Sequence, residues 1–442
     1  MSRAANDRPM WRVMAASLGW GGGMAAVRMV TSFVSIKVTA VYLGPAGLAL
    51  VAQFSNFISL MQSMLGQGLT TGIIQLSAAC GDNEPARRRI YGTAWRMGLA
   101  LVAVAGLLLV LTAPLLSAWL LTDRSHTLLI AVAGLAVAAA MVTDLFLGSL
   151  SVTREISLIG LATIGSTVLG LLIFAPSAYL WGINGGLWAS FAVLIASALL
   201  TTALVRYRSR GVRLSDFFGP FDREACRRLI GFYPMLLVNG VLPPLTLILV
   251  RDTLVSLLGL DQAGLWQATW RLSEAYQAAI ISATALYFMP SMGERLRSPP
   301  ALRLQLLRTL AMASGCTAAL AVVICALREP IVHIVFSPSF RPVSELMPLQ
   351  LVGDVLKMAG WILSMSLVAT VRTRTFIAVT VVSALVFVGL TKALVPQMGL
   401  DGVLFAYVAC GATQVVTGLF GLRSVLWLTA TPVTRTVAVS QP

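Results

Sequence analysis

Charge is what this chain has least of: 11% of its 442 residues are Asp, Glu, Lys or Arg, where soluble globular domains carry about 25%. With 57% of its residues hydrophobic and strung into long apolar stretches, the chain has lipid as its solvent. Polar sequence is equally scarce. No polar stretch exceeds about two dozen residues, which leaves no room for a soluble domain. Histidine is limited to His126 and His333, neither with a Cys or His at ligand spacing, so no metal centre is expected. The five cysteines, Cys80, Cys226, Cys316, Cys325 and Cys410, lack CxxC spacing and support neither a disulfide framework nor a zinc site. A GxxxxGK[ST] loop is absent, which argues against ATP-driven pumping by this chain alone. No cofactor is expected.

What is present is a series of apolar runs separated by basic gaps. The runs predict an all-α polytopic membrane protein with about twelve transmembrane helices, over 14–43, 46–79, 94–121, 127–149, 157–178, 182–205, 229–257, 262–290, 305–327, 342–370, 375–395 and 399–424. The first run exceeds 25 residues, carries Arg28 and Lys37, and lacks a small-residue cleavage pattern, so it reads as a span and not a secretory signal. A net charge of +15 would ordinarily suggest a nucleic-acid partner. Here the clear majority of the 32 lysines and arginines fall in alternate gaps, including Arg87 to Arg89 and Arg206 to Arg228. That is the positive-inside pattern, with N and C termini in the cytoplasm. It accounts for the basic balance without nucleic acid.

The longest gap divides the chain into an N-terminal six-helix half, 1–205, a basic cytoplasmic linker, 206–228, and a C-terminal six-helix half, 229–442. Repetition supports the division. Leu43-Gly44-Pro45-Ala46-Gly47-Leu48 leads into the second span and Leu258-Gly259-Leu260-Asp261-Gln262-Ala263-Gly264-Leu265 into the eighth. Similar glycine turns, at Gly182 and Gly399, precede the sixth and twelfth. Because six is even, the halves enter the membrane in the same sense. Parallel repeats of this kind place a binding site between the halves near the midplane.

Charges inside the membrane are expensive and mark function. Counted at about 1.5 Å per residue, Arg28, Arg271 and Lys357 lie near mid-membrane, while Lys37 and Arg251 occupy equivalent outer positions in the two halves. Together they suggest an anion site. Arg28 and Lys37, nine residues apart, project from opposite sides of an ideal helix and share a lumen only if that helix bends or the side chains snorkel. Arg271 with Glu274, and Asp354 with Lys357, are each three apart and share a helix face. Each pair is either a structural ion pair or a site where an anionic substrate competes for the cation while the carboxylate takes up a proton or Na⁺. Asp144 is a further candidate for ion coupling. Gln53, Asn56, Ser63 and Gln67 fall on one arc of the second span, as do Gln267, Trp270, Arg271, Glu274 and Gln277 on the eighth. Amides and aromatic faces suit sugar rings, although the same residues also glue helices together. Pro243-Pro244 is expected to bend or break the seventh span.

Three strings resemble a known family: Tyr42-Leu43-Gly44-Pro45-Ala46-Gly47-Leu48 with Lys37 upstream, Gly264-Leu265-Trp266-Gln267 followed by Ser273-Glu274-Ala275-Tyr276, and Gln350-Leu351-Val352-Gly353-Asp354-Val355-Leu356-Lys357. The chain is similar, in order and over essentially its whole length, to the O-antigen and lipid III flippases of the multidrug/oligosaccharidyl-lipid/polysaccharide exporter superfamily. The resemblance implies two six-helix bundles around a central cavity. It also implies a bacterial inner-membrane protein that moves an undecaprenyl-diphosphate-linked oligosaccharide to the periplasmic leaflet, alongside a polysaccharide polymerase and chain-length regulator. Lys37, Arg251, Asp354 and Lys357 match charged positions of that family and Glu274 an acidic one, whereas Arg28 and Arg271 rest on depth alone. Two other classes fit the residues less well. An exporter of cationic small molecules in the same superfamily would want a net acidic lumen. A membrane glycan polymerase, ligase or glycosyltransferase would want a long catalytic outer loop, and the longest outer stretch here, Arg328 to Arg341, is too short.

Overall fold

The computed structural model describes the backbone of residues 10–423 apart from 82, 232 and 296–298, and side chains over that range outside 10–29, 233–237, 239 and 285–299. The described chain is helical, with α1 (Met10–Leu65), α2 (Gln67–Ala79), α3 (Glu84–Leu120), α4 (Thr127–Val152), α5 (Ile156–Arg208), α6 (Arg223–Gly231) and α7 (Tyr233–Leu258). It continues with α8 (Leu260–Arg295), α9 (Pro299–Ala326), α10 (Arg328–Val335), α11 (Val343–Ala369), α12 (Thr373–Met398) and α13 (Leu400–Gly421). Among the described residues nine helices are long and apolar enough to cross a membrane. The protein is a multi-pass membrane protein.

These nine cover eleven of the twelve expected spans, because α1 and α5 each run through two, and α8 covers the twelfth. At about 1.5 Å per residue a helix of α1's length would reach roughly 84 Å, far beyond the roughly 30 Å hydrocarbon core. It therefore turns back. Gly44 (φ 66°, ψ −171°) breaks α1 and Gly182 (φ 56°, ψ −137°) breaks α5. Gly259 and Gly399, with φ of 89° and 59°, end α7 and α12 in the same way. These are the four turn glycines expected from the sequence, and positive φ is the reason each is glycine. Pro45, directly after Gly44, occupies the first turn of the next segment, where its missing N–H is harmless.

The expected break at Pro243-Pro244 does not occur, since α7 is one continuous helix from Tyr233 to Leu258. Prolines are tolerated in membrane helices where surrounding groups satisfy the carbonyls they free. Hydroxyls follow the same rule. Thr39, Ser55, Thr163, Thr201, Thr380 and Thr391 each donate to the carbonyl four residues back, so no hydroxyl proton there is stranded in hydrocarbon.

Packing divides the chain into two compact units. The first comprises Met1–Arg271 with Val332–Val343, the second Leu272–Ile331 with Ser344–Pro442. In the first, α4 packs against both α3 and α5, and α1 runs along α5 and α7. Its core joins Phe54, Phe57 and Ile58 of α1 to Leu129, Ile130 and Val137 of α4, with Leu187 of α5 and Ile248 of α7. Leu107, Leu108, Leu111 and Leu115 of α3 face outward and exposed, the disposition of a lipid-facing helix. In the second unit Leu306 of α9, Met358, Ile362 and Leu363 of α11, and Phe376 and Val379 of α12 form the core. The units part within α8, so α7 packs with the first unit, whereas the internal repetition groups α7 with the C-terminal half.

Candidate functional site

Within the first unit the charged centre is Arg251, in the C-terminal part of α7 and 1% exposed. Its Nη1 donates to Gln53 Oε1 at 2.6 Å, and its Nη2 donates to Gln267 Oε1. The guanidinium also lies 5.7 Å from the centroid of Trp266, within cation–π range. Three helices meet at this point. Gln53 belongs to the second segment of α1, Arg251 to α7, and Trp266 and Gln267 to the start of α8. Both amide acceptors are neutral, so neither of these two contacts is an ion pair. Beside it opens a cavity of about 300 Å³ lined by Gln53, Trp119, Thr122, Arg251, Asp252 and Ser256 among others. Close backbone approach supports the arrangement, since a Cβ on Gly264 would lie 2.0 Å from the carbonyl oxygen of Pro45. Only glycine lets α8 seat against that turn.

The second unit holds a buried carboxylate. Asp354 of α11 is 0% exposed and accepts from Tyr276 Oη at 2.6 Å, Tyr407 Oη at 2.8 Å and Gln350 Nε2 at 3.4 Å. Gln350 Nε2 also donates to Ser273 Oγ at 3.3 Å. Lys357, one turn along, is half-buried with Nζ 5.6 Å from the centroid of Tyr407. Tyr407 therefore touches both the anion and the cation. A Cβ on Gly353 would lie 2.3 Å from the Tyr407 ring, so glycine at that position admits the ring that delivers its hydroxyl to Asp354.

The remaining expected residues are distributed around these centres. Lys37 is exposed on α1, unlike Arg251, its expected counterpart in the other half. The side chain of Arg28 lies outside the described residues. Arg271 is half-buried and Glu274 exposed on α8, while Asp144 on α4 and Asn56 on α1 are half-buried. Ser63 is buried and Gln67 is exposed. Trp270 and Gln277 are buried, with Trp270 tilted against Trp266 at 5.5 Å between centroids. Gln53 and Gln267, expected to line a glycan path, are both buried and turned onto Arg251. Sequence reasoning did not single out Trp266, Tyr276 or Tyr407 as site residues. Tyr276 stands two residues from Glu274 and was within reach. Tyr407 is 53 residues from Asp354, and no spacing rule links them.

The fold is that of the MATE transporters. An inward-facing multidrug resistance MATE transporter of the MOP superfamily matches with a TM-score of 0.78 and 16% identity, covering 91% of this chain and 98% of that one. A MOP superfamily transporter from Pyrococcus furiosus, whose reversed binding-pocket polarity suggests a different function, matches with a TM-score of 0.62 and 15% identity, covering 92% of this chain and 97% of that one. The chain itself belongs to the polysaccharide biosynthesis protein family, whose sequence pattern matches residues 38–345. Among its relatives are the lipid III flippases of Escherichia coli (strain K12) and Shigella flexneri, each 26% identical over 391 residues, 88% of this chain and 93% of theirs.

Proposed function

We propose that this protein flips an undecaprenyl-diphosphate-linked oligosaccharide from the cytoplasmic to the periplasmic leaflet of the bacterial inner membrane, for assembly of a surface polysaccharide such as O-antigen, enterobacterial common antigen or exopolysaccharide. It acts as a transporter and not as an enzyme. The observation that carries the reading is a fully buried arginine, Arg251, held by two neutral amides in a family whose relatives include lipid III flippases. A lipid-linked sugar has an anionic diphosphate, a glycan that cannot cross hydrocarbon, and a polyprenyl tail that can stay in it. Cations answer the first requirement, with Lys37, Arg251 and Lys357 the principal candidates and Arg28 and Arg271 the secondary ones. Gln53, Asn56, Gln267, Trp270 and Gln277 are the candidates for the second. The halves 1–205 and 229–442, joined through 206–228 with both termini cytoplasmic, alternate access around the cargo. No bond need be made or broken. Asp354 is the first candidate for coupling transport to a proton or Na⁺, followed by Glu274 and Asp144. A polysaccharide polymerase and a chain-length regulator are the proposed partners, as consumers of the flipped product.

Export of a cationic drug, suggested by the MATE fold alone, suits this arrangement less well, because a buried guanidinium repels such a cargo. The test is leaflet-resolved labelling of the lipid-linked glycan in a strain lacking its native flippase, complemented with Lys37→Ala or Lys357→Ala. Each variant is expected to insert normally and to leave the glycan on the cytoplasmic leaflet. Normal flipping by both would sink the cationic-lumen reading, and defined lipid-linked glycans in the same assay separate flippase from drug exporter.

A further inference from the structure

The basic segment between α5 and α6 is built onto the first unit as a strap. Glu155 Oε1 accepts from Ser209 Oγ at 3.0 Å and from the Gly211 amide at 2.7 Å. Asp216 accepts from the Arg213 amide at 3.0 Å and meets Arg88 at 3.4 Å, and the Asp222 amide donates to Thr93 Oγ1 at 2.9 Å. Phe217, 2% exposed, stacks on Tyr91 at 5.2 Å and takes the edges of Trp95 and Phe146. With Phe217 as its anchor and three polar clamps, the strap presents one fixed outward face.

That face carries groups the protein interior does not use. Tyr207, Phe218 and Phe221 are 74%, 70% and 50% exposed, and Arg213, Arg223 and Arg227 stand exposed among them. Residues 206–231 hold seven arginines against three acids, and two of the acids are engaged, Asp216 with Arg88 and Glu224 with Arg228. On α6, Ala225 and Leu229 turn inward while Arg223 and Arg227 share the opposite face. Tyr207 also lies in the last turn of a helix long enough to span the membrane, with Arg206 5.5 Å from its ring. Exposed aromatic rings among arginines, at the depth where spanning helices leave the hydrocarbon, match the headgroup region of a bilayer. A soluble polyanion would use the arginines and leave three aromatic rings in water.

We propose that this strap face is a binding surface for anionic phospholipid headgroups of the leaflet it meets, the cytoplasmic one in the topology above: the arginines pair with phosphates and Phe218 and Phe221 insert at the acyl boundary. The inference does not depend on which cargo is transported. Each arginine near an anionic leaflet contributes about fivefold in affinity, so a pair contributes roughly 25-fold. The test is native mass spectrometry of the purified full chain, titrated with phosphatidylglycerol or phosphatidylcholine. Wild-type protein is expected to retain phosphatidylglycerol preferentially. Arg223→Gln with Arg227→Gln should lower that affinity about 25-fold and leave phosphatidylcholine unchanged, whereas Phe218→Ser with Phe221→Ser should weaken both lipids. Unfolding midpoints report whether the fold survives, and Arg208→Gln with Arg210→Gln repeats the test if the first pair fails to fold. Equal retention of the two lipids by wild type, unchanged phosphatidylglycerol binding in the arginine variants, or displacement of phosphatidylglycerol by inorganic pyrophosphate at equal concentration would each overturn the proposal.

Discussion

Removing the amides around Arg251 should damage the protein more than removing the arginine itself. Gln53→Ala or Gln267→Ala deletes one hydrogen bond to a charged donor, each costing about 1.5–3 kcal/mol. Together they leave a guanidinium that is 1% exposed with Trp266 but without either carbonyl. Taking partners from a buried charge costs up to about 3–5 kcal/mol. Arg251→Met removes the charge at similar volume and leaves two neutral carbonyls without donors, at about 1–3 kcal/mol each, offset by relief of the desolvation of the cation. The decisive comparison is therefore a cycle. Adding Arg251→Met to the Gln53→Ala/Gln267→Ala protein should restore stability, because the charge the amides were holding is gone. Unfolding in mixed micelles titrated with sodium dodecyl sulfate reads the midpoints. If the triple variant is less stable than the double, or if the single effects simply add, the amides are not the groups that hold the cation and the reasoning fails.

Three other outcomes test separate parts of the structure. Gly44→Ala should cost about 1–3 kcal/mol through its backbone conformation alone (φ 66°, ψ −171°), a region essentially confined to glycine, since no atom lies within 4 Å of the added Cβ. Gly44→Asn should be no better, because Asn tolerates the left-handed helical region and not this one, whereas Gly264→Ala should be damaged by its clash with the Pro45 carbonyl and not by its φ, as measured by thermal unfolding. Tyr407→Phe removes a hydrogen bond to buried Asp354 and should cost about 1.5–3 kcal/mol in wild type and much less in an Asp354→Leu background. A loss of the same size in both backgrounds would mean that the hydroxyl acts through a group other than Asp354. Glu155→Gln weakens the acceptor shared by Ser209 and Gly211, so limited proteolysis between residues 206 and 222 should accelerate while expression is retained.

The helices were legible residue by residue where one dominant force set them. Apolar runs long enough to cross a bilayer have no other stable home, and Gly44, Gly182, Gly259 and Gly399 stood out because a helical hairpin needs positive φ at its turn. The candidate charges were legible for the same reason, each being an exception in hydrocarbon. Their roles were harder to read. Lys37 and Arg251 occupy equivalent repeat positions, yet one is exposed and the other buried, because burial depends on what packs against a helix face and not on register. The amides of Gln53 and Gln267 were read either as facing a sugar or as joining helices, and both present their carbonyl oxygens as acceptors to Arg251. Pro243-Pro244 was expected from backbone chemistry to bend or break its span, and α7 continues through it without a break.

By itself, then, the sequence determined the solvent, the spans, the turns and the list of charged residues that need an explanation, because each follows from the cost of placing a group in lipid. Only the tertiary structure decided the partners: Arg251 with two amides from two other helices, Asp354 with tyrosines from α8 and α13, and a basic linker folded down as a strap on Phe217. Such pairings join residues up to 198 positions apart. Helical periodicity reaches only a few turns along one helix, and the contacts between helices arise from packing that no local pattern records.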